Sequence, residues 1–412
     1  MRGLISIEDY RKAARRRLPR VVFDYIDGGA ESESTVRSNL AAFESVTFRP
    51  RGGMDPDRVD TSTSLLGNRI SMPLILAPCG AARAVNSAGD KAGAMAAAAK
   101  GTIFVQSTLS GHSVADVVAA ASGSPVWYQA YRVGDRATAD RAIARARDAG
   151  AQALVVTIDT AVVSLRERDR RTGGMALLGK SKLSAARHGV RLAAHPRWLA
   201  DRVFDGIYPK LENVLAEDGS PGILGRVPVS RGLTWEDMSW VRKTWGDGPI
   251  VIKGVLTPAD AKLSLDMGAA GIVVSNHGGR QLDGADATLR VLPEIADFVS
   301  KRCAVIVDGG IRSSLDILKA LCLGADAVEI GRPWLFGLSV GGQAGVEGVL
   351  QLFLDGLARN LALLGASSPK ELDLSFARAP ESWLNKSADL QKDRSDYVGT
   401  PRHSQPVLGV ER

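Results

Sequence analysis

GIVVSNHGGRQLDG, residues 271–284, is the stretch on which the fold turns. Gly271 to Val274 form a short apolar run that suits a strand buried on both faces, and the run stops abruptly in a polar, glycine-rich turn. That unit recurs along the chain. PLILAPC (73–79), GTIFVQS (101–107), PVWYQAY (125–131), ALVVTID (153–159), PIVIK (249–253), AVIVDGG (304–310) and AVEIG (327–331) are further short, nearly continuous apolar runs. Alanine-rich amphipathic segments lie between most of them, among them Asp90 to Ala99, Ala137 to Ala149, Pro258 to Met267 and Ser314 to Leu323. Eight strands alternating with helices predict an α/β fold, a parallel (β/α)₈ TIM barrel rather than a doubly wound sheet.

The flanks are read against that barrel. Residues 6 to 17 predict a helix with Glu8 and Asp9 in its first turn and Pro19 as its stop; the chain then runs irregularly to about residue 70. The rhythm breaks once, between Asp159 and Pro249, where the 89 residues 160–248 replace a single helix and two loops. Within this long insertion after strand four, Gly174 to Arg202 holds Lys180, Lys182, Arg187, Arg191, Arg197 and Arg202 against one acid, Asp201, with Leu177, Leu178, Leu183, Val190, Leu192, Trp198 and Leu199 interspersed. Such a segment is either a solvated lid over the barrel mouth or a patch that lies on an anionic membrane. The expected organisation is one barrel domain over residues 1–378 with an N-terminal helical segment, a basic insertion at 174–231, and a flexible polar tail at 379–412.

Composition narrows the function classes. With 412 residues and 45% apolar content the chain can bury a large core, and no run reaches the roughly 18 apolar residues of a membrane span. The N-terminus lacks a signal-peptide run, so a cytoplasmic protein is expected, peripheral on the inner face of the cell membrane if the basic insertion attaches there. Cys79, Cys303 and Cys322 are too few and too scattered for a zinc site or a disulfide framework, so no metal is expected. A net charge of +7 favours anionic substrates or surfaces but is no nucleic-acid signature without a basic face interleaved with aromatics.

In a barrel of this kind chemistry gathers at the carboxyl ends of the strands. Strand three ends in Gln129 and Tyr131, strand four in Thr157 and Asp159 with Arg166 beyond, strand five in Lys253, and strand six in Ser275, His277 and Arg280. His277 is one of five histidines, and imidazole suits proton abstraction near neutral pH. Arg280 offers a planar fork for a carboxylate. Gly278 and Gly279 let the backbone bend and come close to a flat ligand. Taken singly, Tyr25 and Tyr131 also read as packing aromatics, Asp159 as a helix cap and Arg166 as a solvated charge.

Strand seven ends in DGGIR (Asp308 to Arg312) and strand eight in Gly331 and Arg332, the place where barrels commonly bind phosphate. No glycine-rich dinucleotide fingerprint follows the early strands, so flavin mononucleotide (FMN) fits better than a nicotinamide cofactor bound in Rossmann fashion. A strand-end lysine such as Lys253 can sit against the electron-rich edge of the flavin ring.

With Lys253 ahead of it and DGGIR and GRP behind it, SNHGGRQLD resembles the FMN-dependent α-hydroxy acid oxidase and dehydrogenase family, nearest its mandelate and lactate dehydrogenase branch, and the similarity runs from about Ile5 to Leu374. The resemblance implies oxidation of an L-2-hydroxy acid to the 2-oxo acid, with quinone or oxygen as the final acceptor and a homo-oligomer, commonly a tetramer. Carried over by position, His277 would be the base and Asp159 the carboxylate that holds its imidazolium. Arg280 and Tyr25 would clamp the substrate carboxylate, Arg166 would add positive charge there, and Tyr131 would hydrogen-bond the substrate oxygen. Lys253 would contact the flavin N1–O2 edge. Ser107, Gln129, Thr157 and Ser275 match ring contacts, Asp308, Gly310, Arg312, Gly331 and Arg332 match ribityl and phosphate contacts, and the backbone from Pro78 through Cys79 and Gly80 to Ala81 would lie near N5.

Departures from the family pattern qualify this. Ala161 and Ser164 replace a usual proline and glycine, as in part they do in mandelate dehydrogenases, and Arg171-Thr172-Gly173 stands where an asparagine usually follows RERD, which puts the placing of Arg166 in question. Met95 stands where an arginine is common, with loss of any ion pair made there. Gly80 in place of alanine is expected to open room beside the flavin, and Leu109 in place of a bulky tryptophan predicts a wider pocket for a medium-sized or aromatic substrate. Two other readings are a flavin-binding barrel that has lost turnover and an FMN- or phosphate-binding barrel of another reaction class, which should need no carboxylate clamp.

Overall fold

The computed structural model describes residues 3–172, 193–205, 210–215, 220–223 and 232–384. Eight parallel strands close into a barrel: β1 (Leu74–Leu76), β2 (Phe104–Ser107), β3 (Val126–Ala130), β4 (Ala153–Thr157), β5 (Ile250–Val255), β6 (Gly271–Val274), β7 (Ala304–Val307) and β8 (Ala327–Ile330), with β8 returning to β1. Each falls inside a run singled out above except β5, which continues two residues past 249–253 to Val255. A helix follows every strand, and these eight span Gly89–Ala99, Val114–Ala120, Arg136–Asp148, Met238–Trp245, Pro258–Asp266, Thr288–Val299, Ser314–Cys322 and Arg332–Leu364. Several start for a local reason: the side chains of Ser113, Asp135, Thr257 and Ser313 each accept a backbone N–H three residues on, satisfying a donor the helix itself cannot.

Alternation along the strands divides the barrel interior into layers. Ile75, Val105, Trp127, Val155, Val251, Val273, Ile306 and Ala327 pack against one another in a fully buried apolar layer. Two residues further along each strand, on the same face, stand Ala77, Ser107, Gln129, Thr157, Lys253, Ser275, Asp308 and Glu329. All eight are buried, and seven of them are polar or charged. The apolar layer closes the barrel toward its amino end, where a hairpin, Thr63–Leu65 paired with Asn68–Ile70, adds Leu65 and Ile70 to it.

That hairpin and a helix at Ser34–Glu44 correct the expectation of an irregular stretch up to residue 70. The Ser34–Glu44 helix has no N-cap of its own, because Glu33 is left-handed and makes no cap bond. Its first turn is held from 249 and 248 residues away: Asp283 accepts from Ser34 Oγ at 2.9 Å and from Thr35 N at 2.9 Å. Such a start has no local signal. Before it, Ile7–Arg17 begins at Ser6 as expected, and Arg20–Asp27 carries Tyr25.

The insertion after β4 contains, among the described residues, helices Glu167–Thr172 and Pro196–Asp205 and a two-stranded sheet of Lys210–Leu215 and Pro221–Ile223. Leu177, Leu178, Lys180, Lys182, Leu183, Arg187, Val190, Arg191 and Leu192 lie outside the described residues. Two members of the expected basic, aromatic patch do not face outward. Trp198 is buried with Nε1 donating to Ala84 O at 2.9 Å, and Arg202 is buried against Asp201. The expected flexible tail does not start at residue 379, for Ala379 is buried and Glu381–Leu384 is helical; residues 385–412 lie outside the described residues. No helix of the described residues is long and apolar enough to cross a membrane.

Candidate active site

Above the apolar layer, the polar layer forms a connected floor. Ser107 Oγ donates to Gln129 Oε1 at 3.3 Å, Thr108 N donates to the same oxygen, and Gln129 Nε2 donates to Thr157 Oγ1 at 3.0 Å. Lys253 extends the floor, with its ammonium donating to Glu329 Oε2 at 2.7 Å and to Asp308. Burial alone would depress the Lys253 pKa, but Asp308 and Glu329 outweigh it and hold the amine firmly charged. Ser275 accepts from His277 N at 3.0 Å and so joins floor to rim.

On the rim, His277 occupies a left-handed backbone conformation (φ 59°), uncommon for a residue with a Cβ, which turns its ring back over the barrel mouth. Nδ1 lies 3.0 and 3.2 Å from the two Asp159 oxygens, and Nε2 lies 3.3 Å from Tyr131 Oη. In the neutral ring, Nδ1–H donates to Asp159, leaving the lone pair on Nε2. Gly254 (φ +103°) lets β5 pass Asp159, since a Cβ there would stand 2.8 Å from that of Asp159. Desolvation, and after it the charge of Asp159, raises the Tyr131 pKa far above that of a free phenol.

Arg280 projects from the same turn, its guanidinium 5.2 Å from the centroid of the Tyr25 ring and donating to Tyr25 O and Gly28 O at 2.8 Å. Arg166 stands in the same neighbourhood: burial, and after it repulsion from Arg280, lowers its pKa to about 10. Arg166 thus stands near Arg280, Tyr25 and Tyr131, while Gly173 of the departing segment lies outside the described residues. Arg168 ties the segment down, with Nη1 donating to Asp27 at 2.8 Å and Nη2 to Glu33 at 2.5 Å. Tyr25 Oη reaches Gly80 O at 3.4 Å. Thus His277, Asp159, Tyr131, Arg280, Arg166 and Tyr25, contributed by β3, β4, β6 and the N-terminal segment, converge on one rim.

The glycines do something other than expected. Gly278 and Gly279 are left-handed, but the close approach they permit is to the protein itself: a Cβ at Gly278 would meet Arg332 Nη1 at 2.9 Å, and one at Gly279 would meet Val36 N at 2.8 Å. Gly310 likewise abuts the Ser34–Glu44 helix, where a Cβ would stand 2.4 Å from Asn39 O. Gly80 does not open a void, because Leu109 fills the space, 3.1 Å from where a Cβ would sit. Met95 is exposed on the outer helix Gly89–Ala99 and makes no demand on the site.

Beside the rim, Arg332 donates to Asp27 O at 3.1 Å and to Gly28 O and Gly278 O at 2.8 Å. Its burial, reinforced by repulsion from Arg280 and Arg312, lowers its pKa to about 9, and burial also lowers that of Arg312. The buried guanidinium groups of Arg312 and Arg332, which repel one another, form a donor set suited to a dianionic phosphate. Gly331 brings the end of β8 against Cys79, whose thiol burial raises to about 12, with Pro78 and Gly80 alongside at the end of β1. Asp308 Oδ1 is buried with no partner among the described residues, a ready acceptor for a sugar or ribityl hydroxyl. A flat polar-edged ring over Ser107, Gln129, Thr157 and Lys253, a polyol at Asp308 and a phosphate at Arg312 and Arg332 would match these groups, so the residues fit FMN.

Sequence reasoning passed over three residues of this region. Glu329 reads as one acid in an apolar run, and its place on the inner face emerges only once the folded register sets it two residues beyond Ala327. Asp283 and Arg168, which lock the N-terminal segment to the rim, carry no local signal because their partners are far away in sequence.

Comparison with known proteins agrees with this class of site. Residues 14–379 match the family described as FMN-dependent dehydrogenase. The L-lactate dehydrogenase of Caulobacter vibrioides is 43% identical over 366 residues, covering 87% of this chain and 94% of its own, and that of Ectopseudomonas mendocina is 40% identical over 371 residues, covering 88% and 96%. Among solved structures, the monotopic membrane protein (S)-mandelate dehydrogenase superimposes with a TM-score of 0.83 at 33% identity, covering 92% of this chain and all of that one. Mandelate oxidase does so with a TM-score of 0.74 at 34% identity, covering 90% and 97%. The chain therefore belongs to the FMN-dependent α-hydroxy acid oxidase and dehydrogenase family. Within that family it is an FMN-dependent 2-hydroxy acid dehydrogenase or oxidase, and its cofactor is FMN.

Proposed function

We propose that the protein oxidises an L-2-hydroxy acid carrying a short apolar or aromatic side chain to the 2-oxo acid, with His277 as the base. The observation that carries this reading is the orientation of His277. Asp159 holds Nδ1–H, which directs the basic Nε2 toward Tyr131 and the barrel mouth and stabilises the imidazolium once the substrate proton arrives. Arg280, with Arg166 beside it and Tyr25 over its guanidinium, binds the substrate carboxylate and aims the α-carbon at His277. Tyr131 stays protonated and donates to the substrate oxygen. Ser107, Gln129, Thr157 and Lys253 would hold FMN over the floor, and the cofactor, when bound, would supply the two-electron acceptor.

The substrate side chain faces an apolar wall. Tyr131 and Leu109 pack with Val133 and with Leu211 and Val214 of the insertion's small sheet, so the insertion supplies part of the pocket. This supports a lactate- to mandelate-sized acid; the relatives named above as L-lactate and (S)-mandelate dehydrogenases bracket that range.

Electrons then pass to a membrane quinone, a reading supported by the monotopic membrane neighbour and by the cationic composition of 174–231, most of which lies outside the described residues. The protein would assemble as a homo-oligomer and lie on the inner face of the membrane. Purified yellow protein, offered (S)-lactate, (S)-mandelate and their (R)-isomers without oxygen, should bleach with at least one (S)-acid and neither (R)-acid; retention of colour with the whole panel of 2-hydroxy acids would overturn the assignment. Cell fractionation at low and high salt tests the membrane step: attachment at low salt and release at high salt is expected, and a wholly soluble protein at low salt would contradict it.

A further inference from the structure

The buried carboxylate of Glu329 has no part in the chemistry described so far. It is 1% exposed, in the polar layer, with Oε2 2.7 Å from Lys253 Nζ and Oε1 without a partner among the described residues. Asp308 binds the same ammonium from the next strand. One lysine thus carries two carboxyl groups, and a cluster of one ammonium and two acids sits within the barrel. An ammonium has three donors, so two are committed to these acids and one remains for a ligand above the floor.

A buried acid is costly, and nothing in the fold requires one here, since the flanking strand positions Val328 and Ile330 pack outward against helices and Ala327 fills the apolar layer. What the acid changes is the field over the floor. Lys253 alone would favour negative charge arriving at the adjacent ring edge, and Lys253 with Asp308 would be neutral as a pair. Burial and the neighbouring Asp308 raise the Glu329 pKa while the Lys253 ammonium opposes them; in its ionised form Glu329 makes the cluster net negative, and at these distances in a water-poor interior one charge has a large effect.

We propose that Glu329 is a positioning and charge-setting residue that acts through Lys253, fixing its ammonium beneath the flavin and lowering the flavin reduction potential. The proposal rests on the reading that Lys253 lies at the N1–O2 edge. Its consequence is a weaker oxidant, matched to an acceptor of modest potential and not set for the fastest possible substrate oxidation.

The test is anaerobic titration of the FMN-loaded protein against a reference dye. Glu329→Gln keeps the size and a hydrogen-bonding oxygen while removing the charge; it should shift the oxidised–reduced equilibrium toward the reduced form by tenfold or more, equivalent to about 30 mV upward for a two-electron couple. Lys253→Met should shift it the other way, and adding Glu329→Gln to Lys253→Met should produce little further change, because an acid without its cation takes up a proton. A Lys253→Met protein with unaltered potential would overturn the placing of Lys253 and the proposal with it. An altered Lys253→Met potential beside an unaltered Glu329→Gln potential would overturn the role of Glu329 alone, and a Glu329→Gln shift undiminished in the double variant would show that Glu329 does not act through Lys253. Should Glu329→Gln fail to retain FMN, Glu329→Asp, which keeps the charge but withdraws it from Nζ, is expected to shift the potential upward by a smaller factor, and no shift there would overturn the proposal.

Discussion

Two layers of the same barrel, separated by two residues along every strand, have opposite chemistry. In the lower, Val155, Val251, Val273, Ile306 and Trp127 pack against one another and against further apolar side chains such as Leu65 and Ile70; in the upper, Thr157, Lys253, Ser275, Asp308 and Gln129 form hydrogen bonds and ion pairs. The lower layer obtains its stability from burying apolar area and from close packing. The upper layer is stabilising only where its polar groups find partners, and it leaves Asp308 Oδ1 and Glu329 Oε1 without one among the described residues. One layer therefore holds the fold, and the other gives up stability for a site that a polar, phosphorylated ring can complete.

The contrast breaks most sharply at the rim. Replacement of His277 by Gln should slow flavin reduction by the acid roughly 10²–10⁴-fold while leaving the yellow colour and the thermal midpoint nearly unchanged, as read by anaerobic stopped-flow and thermal scanning. In the lower layer the expected effect is reversed. Trp127→Ala removes one of the largest fully buried side chains and should cost about 3–5 kcal/mol in denaturant unfolding, while the reduction rate per bound flavin changes little.

Smaller changes sharpen the division. Arg280→Lys keeps the charge but loses the fork, and a charged hydrogen bond of about 1.5–3 kcal/mol corresponds to a rise of roughly ten- to a hundredfold in KM for the acid, with kcat affected less. Asp283→Ala touches neither layer and removes the distant cap of Ser34–Glu44, for an expected cost of about 1 kcal/mol. The hydrogen bonds that Asp283 accepts outweigh its desolvation and depress its pKa. Its contribution is therefore complete above the ordinary aspartate range, near pH 4, and is lost as pH falls below it toward the depressed folded value. The gap between wild type and Asp283→Ala in urea unfolding should narrow on acidification through that window.

Much of the barrel was legible because a strand buried on both faces must be apolar throughout, whatever its partners, and because helices between parallel strands bury one stripe. His277, Arg280 and Lys253 were legible because each ends such a run, where a polar residue needs a reason to be. Glu329 was not, since four residues of AVEI are too short to show a period of two and its partner Lys253 is 76 positions away. The Ser34–Glu44 helix was hidden for the same reason, its cap being supplied by Asp283. The basic segment misled in part: Trp198 and Arg202 belong to the packed interior, which composition does not distinguish from a surface patch.

Where a hydroxy acid rests over the upper layer decides whether His277 is the base. A crystal structure of the FMN-loaded protein with a slowly turned-over 2-hydroxy acid should place its carboxylate within hydrogen-bond distance of Arg280, its α-carbon and hydroxyl within reach of His277 Nε2 and Tyr131 Oη, and the flavin pyrimidine edge against Lys253. A flavin ring remote from Lys253, or an acid bound without contact to His277, would contradict it.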